Sequence, residues 1–394
     1  MLVVFADKKA RSTRPDKHIR ALLEAGAEVI VLGNYPRWLE ERLSPIGKIS
    51  FVTPRYLQRE YCSENKIWLI RVALNLTWHK LEARYFPNYT KLEHMLKLSK
   101  KYKPHVVLCF NPTYFRVARK IAQKCNARLV YDSGEFWPGY AKHPFWKQNP
   151  VQIEQHLSSE KECIAATDMV VTTSGIMSER LNEYYGIENT VTFLNSQEDI
   201  GGLAEAAVQY PIKFVFHGML GADRNVKNLI IAMRELENCT LDLYGDFYTE
   251  DDKRGIVEEI SKDLEGRVTL HGPFSGSQIK EFLPKYDIGV YPAIALDDNF
   301  NVTLPNKLFD CIVHGLALAV PKFDSIVQII DRENNGWIID TSSPESMRDD
   351  FRSLIELPEE VARMKEASRV AADRYSRGAQ AHGLVEAYQR MLST

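Results

Sequence analysis

The sequence predicts an α/β fold made of two successive halves, each a parallel sheet wrapped in helices. Three observations carry that reading. Short apolar runs of strand length recur between stretches with helical signals, and such unbroken runs suit strands buried on both faces. A strand–loop–helix opening occurs twice, at Leu2–Ala6 and again at Ile212–His217. The chain of 394 residues has room for two domains of about 180 each.

In the first half, Leu2–Ala6 reads as a buried strand, followed by a basic loop with Lys8, Lys9, Arg11 and Arg14. Asp16 is expected to cap a helix over 17–25 that stops at Gly26, and 28–32 to form the next strand. This opening lacks Gly-x-Gly-x-x-Gly, which argues against a dinucleotide site. Residues 54–103 mix bases with aromatics, including Trp68, Arg71 and Trp78. That mixture suits either a membrane interface or a helix packing its tryptophans into the core. A strand at 105–110, a helix at 113–125 and the strand Arg128–Asp132 follow. The last ends in Asp132-Ser133-Gly134-Glu135, at the strand end where open sheets place ligands. The helix over 151–166 is amphipathic, and a strand over 167–174 leads into a helix over 176–185 stopped by Gly186.

The second half restarts with Ile212–His217. Gly218-Met219-Leu220-Gly221 then leads to Arg224, Lys227 and Asn228 at the start of a helix expected over 229–236. Glycines let backbone approach a ligand, and cations at a helix start can neutralise a diphosphate. Strands over 241–245, Val268–Gly272 and 286–292 follow, with Phe274 in the loop after the second. The loop 293–303 holds Asn301 and Thr303 and runs into Leu304-Pro305-Asn306-Lys307-Leu308-Phe309-Asp310. Pro305 fits a first helical position, Gly315 the helix stop, and 316–320 a buried strand. A phosphate at this helix end with a ribose diol on Asp310 points to a nucleotide. A strand at 336–340 and helices from 345 to 392 finish the chain.

Pro-Asn-Lys-Leu-Phe-Asp with Gly five residues after the Asp resembles the sugar-nucleotide motif of two-domain (GT-B) glycosyltransferases, and more narrowly the retaining family 4 enzymes. The resemblance implies two Rossmann-like domains facing a cleft, with the last helix crossing back onto the first domain. It gives Asp310 the ribose role, and Lys227 with Arg224 the diphosphate. Gly218, Gly221, Asn228, Gly245, Phe274, Asn301, Thr303, Asn306 and Lys307 join them as expected donor contacts. Asp132 and Glu135 become candidates for acceptor binding or base work. The expected division is 1–195 for the acceptor-facing domain, 196–211 for a linker, 212–375 for the nucleotide-sugar domain and 376–394 for the returning helix. Val302, Met219 and Gly134 stand where the family has polar groups, so a catalytically inactive partner subunit is the alternative.

Net charge is −2, but residues 1–131 carry 25 Lys+Arg against 10 Asp+Glu, so the remainder carries 25 against 42. A basic half calls for an anionic partner. Together with the resemblance, this gives Lys8, Lys9, Arg11, Trp68, Arg71 and Trp78 an expected role on an anionic membrane surface or a lipid-linked glycan. Nucleic acid is not expected as a partner, since it would leave Asp310 and Lys227 unexplained. The six scattered cysteines fit reduced thiols in a cytosolic compartment. The chain opens on a strand, so no signal peptide is expected, and no apolar run nears the roughly 20 residues of a membrane span. No metal and no cofactor beyond the nucleotide sugar, most simply a UDP-sugar, is expected. The reading is a retaining transferase acting on a glycan or lipid-linked acceptor at the inner face of the membrane.

Overall fold

The computed structural model describes residues 2–6, 14–33, 37–52, 103–110, 112–143, 147–196 and 203–393. The expected membrane or acceptor residues Lys8, Lys9, Arg11, Trp68, Arg71 and Trp78 lie outside them. In chain order the first-half strands are β1 (Leu2–Ala6), β2 (Val29–Gly33), β3 (Ile49–Val52), β4 (Val106–Cys109), β5 (Arg128–Asp132), β6 (Met169–Thr172) and β7 (Thr190–Thr192). They form a parallel sheet in the order β3-β2-β1-β4-β5-β6-β7. The second half contributes β8 (Ile212–His217), β9 (Cys239–Tyr244), β10 (Val268–Gly272), β11 (Ile288–Val290), β12 (Ala317–Pro321) and β13 (Gly336–Ile339). These pair, again in parallel, as β10-β9-β8-β11-β12-β13.

Unbroken apolar strands bury both of their faces here. Along β4 and β5, Val106, Leu108 and Val130 pack on one side with Ile19 and Leu22 of the helix Arg14–Glu24. Val107, Cys109, Leu129 and Tyr131 pack on the other, against Phe115, Ile121, Met177 and Leu181. β8 divides likewise, with Phe214 and Phe216 against Leu229, Ile230 and Phe351, and Val215 against Phe282, Leu308 and Ile312. Each such side chain contributes on the order of 1.5–3 kcal/mol on burial.

The last helix, Arg377–Ser393, leaves the second domain and buries Ala381, Leu384, Ala387 and Tyr388 in the first-domain core. Arg377 pairs there with Glu24. Two local expectations shift. The first helix begins at Arg14, with Asp16 in its opening turn. The helix expected over 229–236 is Val226–Ala232, because positive φ at Glu235 and Asn238 ends it early while Leu236 stays buried in the core. In each sheet the connections reverse direction, beside β1 and β4 in the first and beside β8 and β11 in the second. Such reversals leave a crevice at the carboxyl ends of the strands.

Candidate active site

A cavity of about 540 Å³ opens between the domains. Its first-domain wall is Gly134, Glu135, Tyr140, Thr173 and Asn195. The facing wall includes His217, Arg224, Phe274, Tyr291, Thr303, Asn306, Lys307 and Asp310. His217 closes β8 and Tyr291 follows β11, so the two flank the reversal in the second sheet.

Asp310 stands one turn into the helix Asn306–Val313, whose Leu308, Phe309, Ile312 and Val313 face the core. Pro305 sits at the N-cap in extended conformation, and the helix starts at Asn306, one residue later than expected. Gly315, at φ +74°, stops the helix. Asp310 is only 2% exposed. One carboxylate oxygen, Oδ2, lies 2.9 Å from His217 Nε2. The other, Oδ1, is buried without a partner. A half-satisfied buried carboxylate in a cavity wall is an acceptor waiting for donors.

Lys307 places its ammonium 4.1 Å from the Phe216 ring centre and 5.3 Å from that of Tyr291. Burial, then the neighbouring Arg224 guanidinium, pushes it down to about 7. Gly218, at φ +124°, makes room for it, since a Cβ there would come within 2.9 Å of Nζ. Arg224, in the 3-10 turn before the next helix, lies 5.9 Å from the Phe300 ring centre and 3.6 Å from Asp223. Both line the cavity, and Lys307 has no carboxylate in salt-bridge contact among the described residues, so the pair offers the cavity cationic groups suited to an anion.

On the first-domain side, Glu135 Oε2 accepts from the Tyr140 hydroxyl at 2.9 Å and from the Asn299 amide at 2.8 Å. Enclosure by the cavity walls raises this carboxyl above its ordinary value, against the two hydrogen bonds.

The structure thus brings Gly218, Arg224, Glu135, Phe274, Thr303, Asn306, Lys307 and Asp310 to one cavity, and leaves the other candidates out of its lining. Lys227 turns away, to Glu259 at 3.4 Å, because Val226, Leu229 and Ile230 take the core face of its helix. Asn228 shares that short helix outside the cavity. Asp132 is spent on a buried ion pair with Arg14 and a bond to His18, so base work does not fall to it. Gly221 packs on Tyr248. Gly245 serves packing, as a Cβ there would sit 1.7 Å from the Gly218 carbonyl oxygen. Asn301 opens on a second cavity, with Arg180, Tyr184 and Asp324, behind the helix Asp298–Val302. His217, Tyr140, Tyr291 and Asn299 were missed by the sequence reading. Only His217 carried a local signal, as the last strand residue before Gly218.

Two parallel α/β domains enclosing such a cavity, with the last helix returning to the first, define the GT-B class of glycosyltransferase folds. Residues 211–356, most of the second domain, match the model of the family described as Glycosyl transferases group 1. Curated proteins give no match. Among solved structures, the chain is similar to Anabaena HepE in complex with UDP, at 13% identity and TM-score 0.72, covering 99% of each chain. It is equally similar to sucrose-phosphate synthase of Thermosynechococcus elongatus, at 13% identity and TM-score 0.72, over 100% of this chain and 99% of that one. The lipopolysaccharide outer core galactosyltransferase WaaB aligns at 13% identity and TM-score 0.64, over 99% of both. At such identities these likenesses fix the fold.

Proposed function

We propose that this protein transfers a sugar from a UDP-sugar to a hydroxyl-bearing glycan or lipid-linked acceptor, with retention at the anomeric carbon. One observation carries the reading: the half-satisfied Asp310 lines the same cavity as Lys307 and Arg224. A ribose diol supplies the donors that Asp310 Oδ1 lacks. A diphosphate supplies the negative charge that the two cations face, and the first turn of the helix Asn306–Val313 adds its N–H groups. Sugar transfer requires the diphosphate to leave with its developing charge stabilised. Lys307 and Arg224 do this from fixed positions, and the freed phosphate oxygen takes the acceptor proton on the same face, so the transfer needs no protein nucleophile and no metal. HepE was solved with UDP, which favours uridine as the base.

Among the described residues no helix is long and apolar enough to cross a membrane. The acceptor is proposed to reach the cleft from an anionic membrane surface, which the basic composition of the first half supports.

Thermal unfolding with UDP, GDP, ADP and dTDP tests the donor site. A ligand at 100 times its Kd stabilises by about 2.7 kcal/mol. A rise in midpoint with UDP, lost in Asp310→Ala, is expected; no rise with any nucleotide overturns the reading. Product NMR reads the anomeric configuration, and chelation with EDTA is expected to leave the rate unchanged. Slow hydrolysis of the UDP-sugar separates an enzyme from an inactive partner.

A further inference from the structure

We propose that Glu135 is the subsite that reads the hydroxyls of the transferred sugar, and that it is assembled only where the two domains meet. This rests on the donor-site reading above. Asp310, Lys307 and Arg224 account for the nucleotide. What the cavity still offers from the opposite wall is one carboxylate, with Tyr140 and Asn299 behind it. A sugar is uncharged and rich in hydroxyl donors, and a carboxylate is the acceptor that discriminates among them.

Glu135 is built for that use. Its Oε2 is committed to Tyr140 and Asn299, which fixes the carboxylate plane. Its Oε1 has no hydrogen-bond partner among the described residues, and the residue lines the cavity. The Asn299 amide works in both directions, because its Oδ1 accepts from the Phe136 N–H at 2.7 Å while its Nδ2 donates to Glu135. Neither the amide nor the carboxylate can turn without losing a bond.

Asn299 belongs to the second domain and Glu135 to the first. The short helix that carries Asn299, Asp298–Val302, is docked across the seam at four further points. The Ser174 hydroxyl donates to the Val302 carbonyl. Val302, 3% exposed, enters the first-domain core beside Phe136 and Met177. Lys142 pairs with Asp298 at 2.8 Å. Gly139 allows the approach, since a Cβ there would lie 2.6 Å from the Asn299 nitrogen. Val302 therefore presents an apolar side chain to the neighbouring domain rather than a polar one to the sugar. Separating the domains removes Asn299 from Glu135, so a sugar held by Glu135 favours the closed form.

The test is calorimetric binding of UDP, UDP-glucose, UDP-galactose and UDP-N-acetylglucosamine to the whole chain and to Glu135→Ala, Asn299→Ala and Tyr140→Phe. Glu135→Ala is expected to raise the Kd of at least one UDP-sugar by about tenfold, roughly one hydrogen bond to a charged group, and to leave that of UDP within about twofold. Asn299→Ala should do the same by releasing the carboxylate. Tyr140→Phe, which removes one hydroxyl and little packing, should give a smaller loss of the same kind and stands in if Asn299→Ala does not fold. A ratio of UDP-sugar to UDP affinity unchanged across the panel overturns the proposal. So does a loss of turnover with that ratio intact, which would make Glu135 a proton acceptor. If the unaltered protein binds none of the four probes, the donor-site reading falls as well.

Discussion

Asp132 and Asp310 are both aspartates of near-complete burial, 1% and 2% exposed, and they sit in corresponding halves of the molecule. Asp132 ends a strand of the first sheet. The Arg14 Nε lies 3.0 and 3.1 Å from its two oxygens, and His18 binds Oδ2 and passes the connection on to Tyr388 of the returning helix at 2.8 Å. Arg14 also donates to the Phe193 and Thr172 carbonyls. Burial alone would raise this carboxyl, and Arg14 with His18 holds it below its ordinary value instead. Asp310 has one hydrogen-bond contact, to His217, and its other oxygen has none. A saturated buried carboxylate fastens the fold, whereas an unsaturated one in a cavity wall is reserved for a ligand.

The largest effect should come from removing the saturated one. Asp132→Asn leaves Arg14 and His18 buried without their anion, at a cost of about 3–5 kcal/mol, readable in urea unfolding. UDP affinity should not change, because Asp132 does not line the cavity. The same network makes stability pH-dependent. With its folded value depressed, Asp132 stabilises at pH above the ordinary carboxylate range, and that contribution disappears as pH falls through the folded value. Asp310→Asn should show the opposite division, with UDP affinity down by about 10- to 100-fold and stability changed by less than about 1 kcal/mol. Equal loss of UDP binding in both variants would break the comparison.

Lys307 sharpens it from the cationic side. Its ammonium lies between Phe216 and Tyr291, with no carboxylate in salt-bridge contact among the described residues. Replacing a buried, unpaired cation by an apolar side chain of similar length is neutral or stabilising. Lys307→Met should therefore leave the thermal midpoint unchanged or raised while weakening UDP by about tenfold or more. A lowered midpoint would assign the lysine to the fold rather than to a ligand.

With its ammonium at about 7, Lys307 binds fewer protons folded than unfolded between that pH and about 10.5. Its burial penalty is full below pH 7 and is relieved as pH rises toward the unfolded value. An anion favours the protonated form, so UDP affinity should fall from pH 7 to pH 9 by up to about tenfold per unit, while the phosphate is already largely ionised. Proton uptake, seen as a buffer-dependent binding enthalpy at pH 8, should accompany it. Affinity flat over that range would show that Lys307 is not on the diphosphate.

The sheets were legible in the chain because parallel strands buried on both faces read as unbroken apolar runs. The cavity wall that carries Lys307 and Asp310 was legible in the stretch from Pro305 to Gly315, where cap, cation, carboxylate and glycine stop lie within three turns. The first-domain wall was only half legible. Glu135 stood at a strand end, but its partner Asn299 comes from 164 residues further on, and no local pattern ties the two. The partners of Asp132 were hidden for the same reason, since Arg14 and His18 reach it across 118 and 114 residues. Lys227, expected at the diphosphate, meets Glu259 instead, and a basic residue at a helix start looks alike on either face.

Lys227 also gives the smallest expected effect. Its side chain is 58% exposed, and Glu259, its partner at 3.4 Å, keeps Arg234 at 2.7 Å and Lys262 at 2.9 Å when the lysine is removed. An exposed pair contributes about 0–1 kcal/mol, and here even that is shared among three cations. Lys227→Ala should thus change stability by less than about 0.5 kcal/mol and leave UDP affinity intact. Arg224→Ala, three positions earlier, should weaken UDP as Lys307→Met does, because its guanidinium lines the cavity. Measured side by side, the two variants decide which cation of this loop meets the diphosphate. Loss of UDP binding in Lys227→Ala alone would mean that the helix Val226–Ala232 rotates to present its outer face when the donor enters.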